Sequence, residues 1–185
     1  MPVSNEDFFQ RSLQFHFENG SRLQKIDPEC VDEYDDHSLL KLICITYWVG
    51  IFTPIAHSIG ARTAYVDSMA GSGVTATKKG HFLCGSSPGA LLSASARKQP
   101  FEIAFCVEKN HEKATTLQHR LKDIASTTTI TVYNKDVLEI SQEIARQLQG
   151  IMSYIVIDPE GFAGMTWAGL EPLLQCKGDV MITWF

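Results

Sequence analysis

Apolar residues along this chain fall into two rhythms that alternate from residue 62 onward. Five short runs are rich in β-branched or aromatic residues: 63–67, 101–107, 127–133, 154–157 and 180–185. Runs this short and this apolar predict strands buried on both faces. Between them, 89–98, 110–124, 137–148 and 167–174 space their apolar residues as helices packed by one face do. The stretch 74–86, with Lys78, Lys79, Gly80 and Gly85, predicts a loop over the strand ends. Ser87-Pro88 then reads as an N-cap followed by proline at the first helical position. Regular alternation of this kind predicts an α/β fold with a doubly wound, mainly parallel sheet of five strands.

Upstream the rhythm changes. Residues 1–26 carry Phe8, Phe9, Phe15 and Phe17 without a sustained period. Asp27, Glu29, Asp32, Glu33, Asp35 and Asp36 then form an acidic run. Its plainest reading is a solvated linker whose last acids, Asp35 or Asp36, N-cap the next helix; binding a metal or repelling nucleic acid is the other. In 39–59, Leu39, Leu42, Ile43, Tyr47 and Ile51 recur at helical spacing, broadened by Leu40, Ile45, Trp48 and Phe52. A membrane span needs about 20 largely uninterrupted apolar residues. Lys41, Thr46, Gly50, Pro54 and His57 interrupt this one, which predicts a buried helix, bent or stopped at Pro54, and no membrane. The expected organisation is an N-terminal helical extension, 1–60, packed on an α/β domain, 61–185.

With 185 residues, 44% hydrophobic and 20% charged, the chain has an ordinary globular composition and enough length for a real core. A net charge of −5 lends no support to a nucleic-acid partner, although a local basic groove stays open. The five cysteines are odd in number and lack C-x-x-C spacing, and residues 1–10 are polar and acidic rather than a signal peptide. Reduced thiols in a cytoplasmic protein are the expectation, with no metal site.

The chemistry gathers where strands end. Residues 62–73 read R-T-A-Y-V-D-S-M-A-G-S-G, an apolar run, an acid and a glycine-bearing turn. Glycine lets backbone approach a ligand closely, and such a turn aims main-chain N–H groups at it. Asp67, Glu108, Asp136 and Asp158 each follow a strand of their own, and in wound sheets ligands bind across those ends. An adenosyl group fits: Glu108 would accept both ribose hydroxyls, Asp136 the adenine amino group, and Asp67 would face an amine or sulfonium. As simple helix caps or turn formers these acids would mean nothing of the kind, a reading strongest for Asp136.

These motifs resemble those of class I S-adenosylmethionine-dependent methyltransferases, whose Rossmann-like sheet has seven strands, the last two an antiparallel hairpin. A-Y-V-D-S-M-A-G-S-G matches the glycine motif with Met69 in place of the first glycine, Glu108 the ribose acid, Asp136 the adenine-side acid, and I-V-I-D-P-E-G-F the fourth-strand motif. D-x-x-A-G-S-G is the form of amino-group methyltransferases, but Glu160 and Gly161 depart from their D-P-P-Y. The chain resembles more closely the three-Cys-motif partner proteins, over about 36–185. D-H-S-L-L-K, Y-W-V-G-I-F, G-S-S-P-G-A-L, E-K-N and D-P-E-G-F-A-G-M-T-W-A-G-L carry that likeness. The resemblance implies S-adenosyl-L-methionine held by Asp67, Met69, Ala70, Gly71, Ser72, Gly73, Glu108, Lys109, Asp136, Val137 and Asp158. It implies an acceptor oriented by Asp158, Pro159 and Phe162, with Phe162 or Trp167 stacking on a planar group.

The expected function is methyl transfer to an amino group or another acceptor, a nucleobase included. The alternative is a catalytically silent protein that keeps the fold and binds cofactor or a partner. Against the seven-stranded pattern the final hairpin is missing after Met181-Ile182-Thr183-Trp184-Phe185. Either the chain is a piece of a longer protein, or a partner or second copy covers its last strand. A dinucleotide oxidoreductase fits less well, because the turn is shorter than G-x-G-x-x-G and the second-strand acid lies about 35 residues past Gly73 rather than about 20.

Overall fold

The computed structural model describes residues 5–33, 38–124, 127–159 and 166–183. In chain order the elements are α1 (Asn5–Gln24), β1 (Asp32–Glu33), α2 (Ser38–Ser58), β2 (Thr63–Asp67), β3 (Val74–Ala76), β4 (Phe82–Cys84) and α3 (Ser86–Ala96). There follow β5 (Ile103–Val107), α4 (His111–Ile124), β6 (Thr129–Tyr133), α5 (Val137–Gln147), β7 (Met152–Ile157), α6 (Trp167–Leu174) and β8 (Gly178–Ile182). The main sheet has the order β6-β5-β2-β7-β8, and every neighbouring pair is parallel. The chain leaves β2 toward one edge and later returns past it to β7, so the order reverses between these two strands. This is a Rossmann-like α/β arrangement.

Alternation along the strands sends side chains to two separate cores. Tyr65, Ala104, Cys106, Tyr154 and Val156 meet Ile45, Val49 and Phe52 of α2, Ala90 and Ala94 of α3, and Leu117 and Leu121 of α4. Ala64, Val66, Phe105, Val107, Ile155 and Ile157 meet Val137, Ile140 and Ile144 of α5 and Leu173 of α6. Helices therefore cover both faces, and β2, the middle strand, is buried along its whole length. That is why the strand runs are continuously apolar in the sequence.

The N-terminal segment and residues 74–86 differ in detail from what the pattern alone showed. Residues 5–24 form one long helix, with Glu6 and Asp7 in its first turn and Arg22 in its last, both favourable to the helix dipole. Its buried positions include His16, Gly20 and Leu23, one helical turn apart. Only one of the three is a large apolar residue, so no hydrophobic period marks the helix. Residues 74–86 are not a plain loop: β3 and β4 pair antiparallel, and β1 adds to β3 in parallel, making a small three-stranded sheet. The expected N-cap at Ser87 is corrected as well. Gly85 is the cap, α3 starts at Ser86, and Pro88 sits in the first turn, where a missing N–H costs nothing.

Pro54 lies inside α2 without stopping it. By length and composition α2 would cross a membrane, yet 44% of its most apolar window is buried in the fold. The cysteines are all free; Cys30, Cys84 and Cys106 are buried, Cys176 is half-buried and Cys44 is exposed. Burial pushes the Cys84 and Cys106 thiols up to about 12. Asp35, Asp36, Phe162, Trp184 and Phe185 lie outside the described residues.

Candidate functional site

A cleft of about 950 Å³ opens at the carboxyl ends of β2, β5, β6 and β7. Its floor is Ser68, Met69, Ala70 and Gly71; Glu108, Lys109, Asp136, Val137, Asp158 and Pro159 line it, with Val31, Asp32, Lys41 and Leu42 from the N-terminal segments. A second groove, about 540 Å³, lies between α5 and α6 and gathers none of the strand-end acids.

The glycine turn follows from its backbone. Gly71 and Gly73 take φ of +61° and +85°, and a Cβ on Gly71 would sit 2.5 Å from the Asp32 carboxylate. Among the described residues Lys98 is the only non-glycine with positive φ, so position 69 makes no demand for glycine. That accounts for Met69, which is half-buried and packs on the core beneath the turn. Ser72 and Gly73 are buried under the turn rather than lining the cleft. The Ser72 hydroxyl donates to Asp32 and accepts from Arg120, while the Gly73 carbonyl accepts from Gly85 N–H at 2.9 Å.

The four acids have four different settings. Asp67 is fully buried; its Oδ2 accepts from the hydroxyls of Ser86 at 2.5 Å, Ser87 at 2.6 Å and Tyr65 at 3.3 Å. Its Oδ1, and the hydroxyl of neighbouring Ser68, find no hydrogen-bond partner among the described residues. Desolvation raises the Asp67 carboxyl above its ordinary value, against the pull of the two serine hydroxyls. Glu108 is pinned by two amides, Gly71 N–H on Oε2 at 3.0 Å and Asn110 N–H on Oε1 at 2.7 Å. A carboxylate offers about four lone-pair sites, so each Glu108 oxygen can still accept a hydroxyl. Asp136 N-caps α5, its Oδ1 accepting from Leu138 N–H at 2.9 Å, and lines the cleft as well. Asp158 is ion-paired: Lys41 Nζ lies 3.1 Å from Oδ1 and 3.0 Å from Oδ2, and the Thr183 hydroxyl donates to Oδ1.

Several residues that build the site carry no motif. Arg120, fully buried on α4, donates to the carbonyls of Leu23, Asp27, Cys30 and Ser72 and to the Ser72 hydroxyl, at 2.7–3.2 Å. It sits on the same helical stripe as buried Leu117 and Leu121, and an arginine on an apolar stripe is the signal that could have found it. The acidic run is not simply a solvated linker either. The Asp27 carboxylate accepts from the Thr116 hydroxyl at 2.6 Å, and Asp32 accepts from Ser72 N–H at 2.7 Å and pairs with Lys113 Nζ at 2.9 Å. Among the described residues no cluster of three His, Cys, Asp or Glu could hold a metal ion.

No protein-family model matches this chain, and no curated protein sequence matches it. What defines it is therefore its own geometry: a Rossmann-like α/β protein with an acid-rimmed cleft at the point where strand order reverses.

Proposed function

We propose that the cleft binds S-adenosyl-L-methionine and that the protein is a methyltransferase acting on an amino group or another acceptor, a nucleobase included. The observation that carries this reading is Glu108, held at the cleft wall by two backbone amides with acceptor capacity left on both oxygens. A ribose diol needs that arrangement. The residues fit the rest of the ligand: the Ser68 hydroxyl, in the cleft floor, has no partner among the described residues and could take a hydrogen bond from the cofactor's amine, while Asp67, buried next to it and outside the cleft lining, would act on a positive amine or sulfonium only through space. Gly71 lets the turn come close, and Asp136 and Val137, which line the cleft, would take the adenine edge.

The bound cofactor would supply an electrophilic methyl group. The protein's part is to align an acceptor with it and keep water out, so no general base is required. Asp158, with Lys41 and Thr183 on its carboxylate, serves as an anchor for the acceptor end rather than as a free base. Pro159 lines the cleft beside it, and the stacking role of Phe162 belongs to the same proposal. Membership of the three-Cys-motif partner family is its finest form, carried by the motifs of residues 36–185.

Titration calorimetry with S-adenosylmethionine and its demethylated product tests the reading, with heat expected for both. Glu108→Ala should weaken binding roughly 10–100-fold, since charge-assisted bonds are each worth about 1.5–3 kcal/mol. Silence from folded protein with both ligands overturns the proposal, and unchanged affinity in the variant removes Glu108 from the site.

One observation favours the second reading, a protein that keeps the fold and works through a partner. Along α2, Leu40, Tyr47, Trp48 and Ile55 are exposed on one stripe, and Trp48 Nε1–H donates to Asp179 of the edge strand β8 at 2.9 Å.

A further inference from the structure

In nucleotide-binding α/β folds a glycine turn gives its N–H groups to phosphate. In this chain two of those groups, Gly71 N–H and Ser72 N–H, are already filled by carboxylates. Ser72 N–H and the Ser72 hydroxyl donate to Asp32 Oδ2 at 2.7 and 3.0 Å, and Gly71 N–H donates to Glu108 Oε2 at 3.0 Å. Asp32 belongs to a different part of the chain, and its position is well supported. β1 is hydrogen-bonded to β3, Lys113 pairs with Asp32 Oδ1, and Arg120 ties Ser72 to the carbonyls of Leu23, Asp27 and Cys30. Both Asp32 and Glu108 also line the cleft.

We propose that Asp32 is a specificity-determining residue: it stands where a phosphate would and closes the turn to phosphorylated ligands, so that the cleft selects phosphate-free nucleosides over mononucleotides and dinucleotides. A phosphate could reach the turn only by displacing one carboxylate and lying beside the other, a like-charge contact in a partly buried site. A neutral or cationic nucleoside meets no such penalty. The inference rests on the cleft taking a nucleoside, and it is independent of whether a methyl group is transferred.

Calorimetric titration of the whole chain with adenosine, ADP and inorganic pyrophosphate decides it, using wild type, Asp32→Ala and Asp32→Asn. Alanine frees the Ser72 N–H, whereas asparagine can keep that bond without the charge. Wild type should bind adenosine at least tenfold more tightly than ADP and give no heat with pyrophosphate. Asp32→Ala should bind pyrophosphate and move the adenosine-to-ADP preference at least tenfold toward ADP, with Asp32→Asn at least threefold in the same direction. If alanine prevents folding, the asparagine shift alone decides. Wild type binding ADP as well as adenosine, an unmoved preference in the folded variants, or no binding of any of the three ligands overturns the proposal. A parallel titration with S-adenosylmethionine separates the two readings. Failure there with the adenosine preference intact removes the methyl donor and leaves Asp32's role standing, and the reverse pattern removes only Asp32.

Discussion

Two neighbouring strand ends meet at this cleft, and they are built in different ways. The turn after β2 is supported from below by buried groups: Arg120 on the Ser72 carbonyl, Gly85 on the Gly73 carbonyl, and three hydroxyls on Asp67. The end of β7 is held from the side. Asp158 leans on Lys41 and Thr183, and the Lys41 and Asp158 side chains are 18% and 25% exposed. Buried hydrogen bonds are costly to leave unmade, while partly exposed ion pairs exchange readily with water. The β2 end is thus fixed in place, and the β7 end can adapt; on the proposed reading the first would hold the cofactor and the second the acceptor.

Removing Arg120 should produce the largest effect and is the most direct way to break this contrast. Arg120→Met takes this donor from the carbonyls of Asp27, Cys30 and Ser72 and leaves the Leu23 carbonyl with Ile26 N–H, a buried carbonyl being worth about 1–3 kcal/mol when unpaired. With some relaxation and water entry, a loss on the order of 3–5 kcal/mol is expected in urea denaturation, with faster hydrogen exchange across residues 23–33. Lysine should not rescue it, since one ammonium cannot span the guanidinium's fork. A loss below about 1 kcal/mol would mean that the turn is not supported from beneath.

Legibility in the sequence followed the range over which each feature acts. β2, β5 and β7 were readable because strands buried on both faces are continuously apolar, and the edge strand β6 because it is β-branched; their predicted bounds differ from the observed ones by two residues at most. The helix α1 was not, because its buried stripe includes a histidine and a glycine. β3 and β4 are three residues each, too short for a period of two to register, and Lys78, Lys79 and Gly80 between them look like any loop. At the site, the strand-end acids could be read from position alone. Asp32 could not: its partner Ser72 is 40 residues away, and only the fold joins them. The same applies to Lys41 and Asp158, which are 117 residues apart.

The support of the turn also carries a pH dependence. His16 is buried between α1, α2 and β4; its Nδ1 lies 2.9 Å from the carbonyl of Cys84, the residue before Gly85, and its Nε2 lies 3.3 Å from the Thr46 hydroxyl. Desolvation lowers its pKa below the ordinary 6.5, outweighing the hydrogen bond to the Cys84 carbonyl, so the folded ring is neutral and donates Nδ1–H. The unfolded chain therefore binds a proton near pH 6.5 that the folded one refuses. Stability is fully present above 6.5 and drains as pH falls toward the lower folded value, at up to about 1.4 kcal/mol per pH unit. Urea denaturation at several values between pH 5 and 7 should show this slope in wild type and a flatter one in His16→Gln. Equal slopes would remove His16 from the account.

The smallest effect is expected at Lys41, and it sharpens the contrast rather than breaking it. Lys41→Met removes a partly exposed ion pair, for which about 1 kcal/mol or less is the usual cost, and the Thr183 hydroxyl still donates to Asp158. The hydrogen bonds described for the glycine turn come from Arg120, Asp32, Glu108 and Gly85, not from Lys41. The variant should fold, and it should bind S-adenosylmethionine within about threefold of wild type, a difference below 1 kcal/mol. Any defect should appear in what the β7 end accepts, as weaker binding or slower turnover of an acceptor at unchanged cofactor affinity. If Lys41→Met instead weakened the cofactor as much as Glu108→Ala, the two strand ends would be one coupled unit, and the division between a preformed and an adaptable half would not hold.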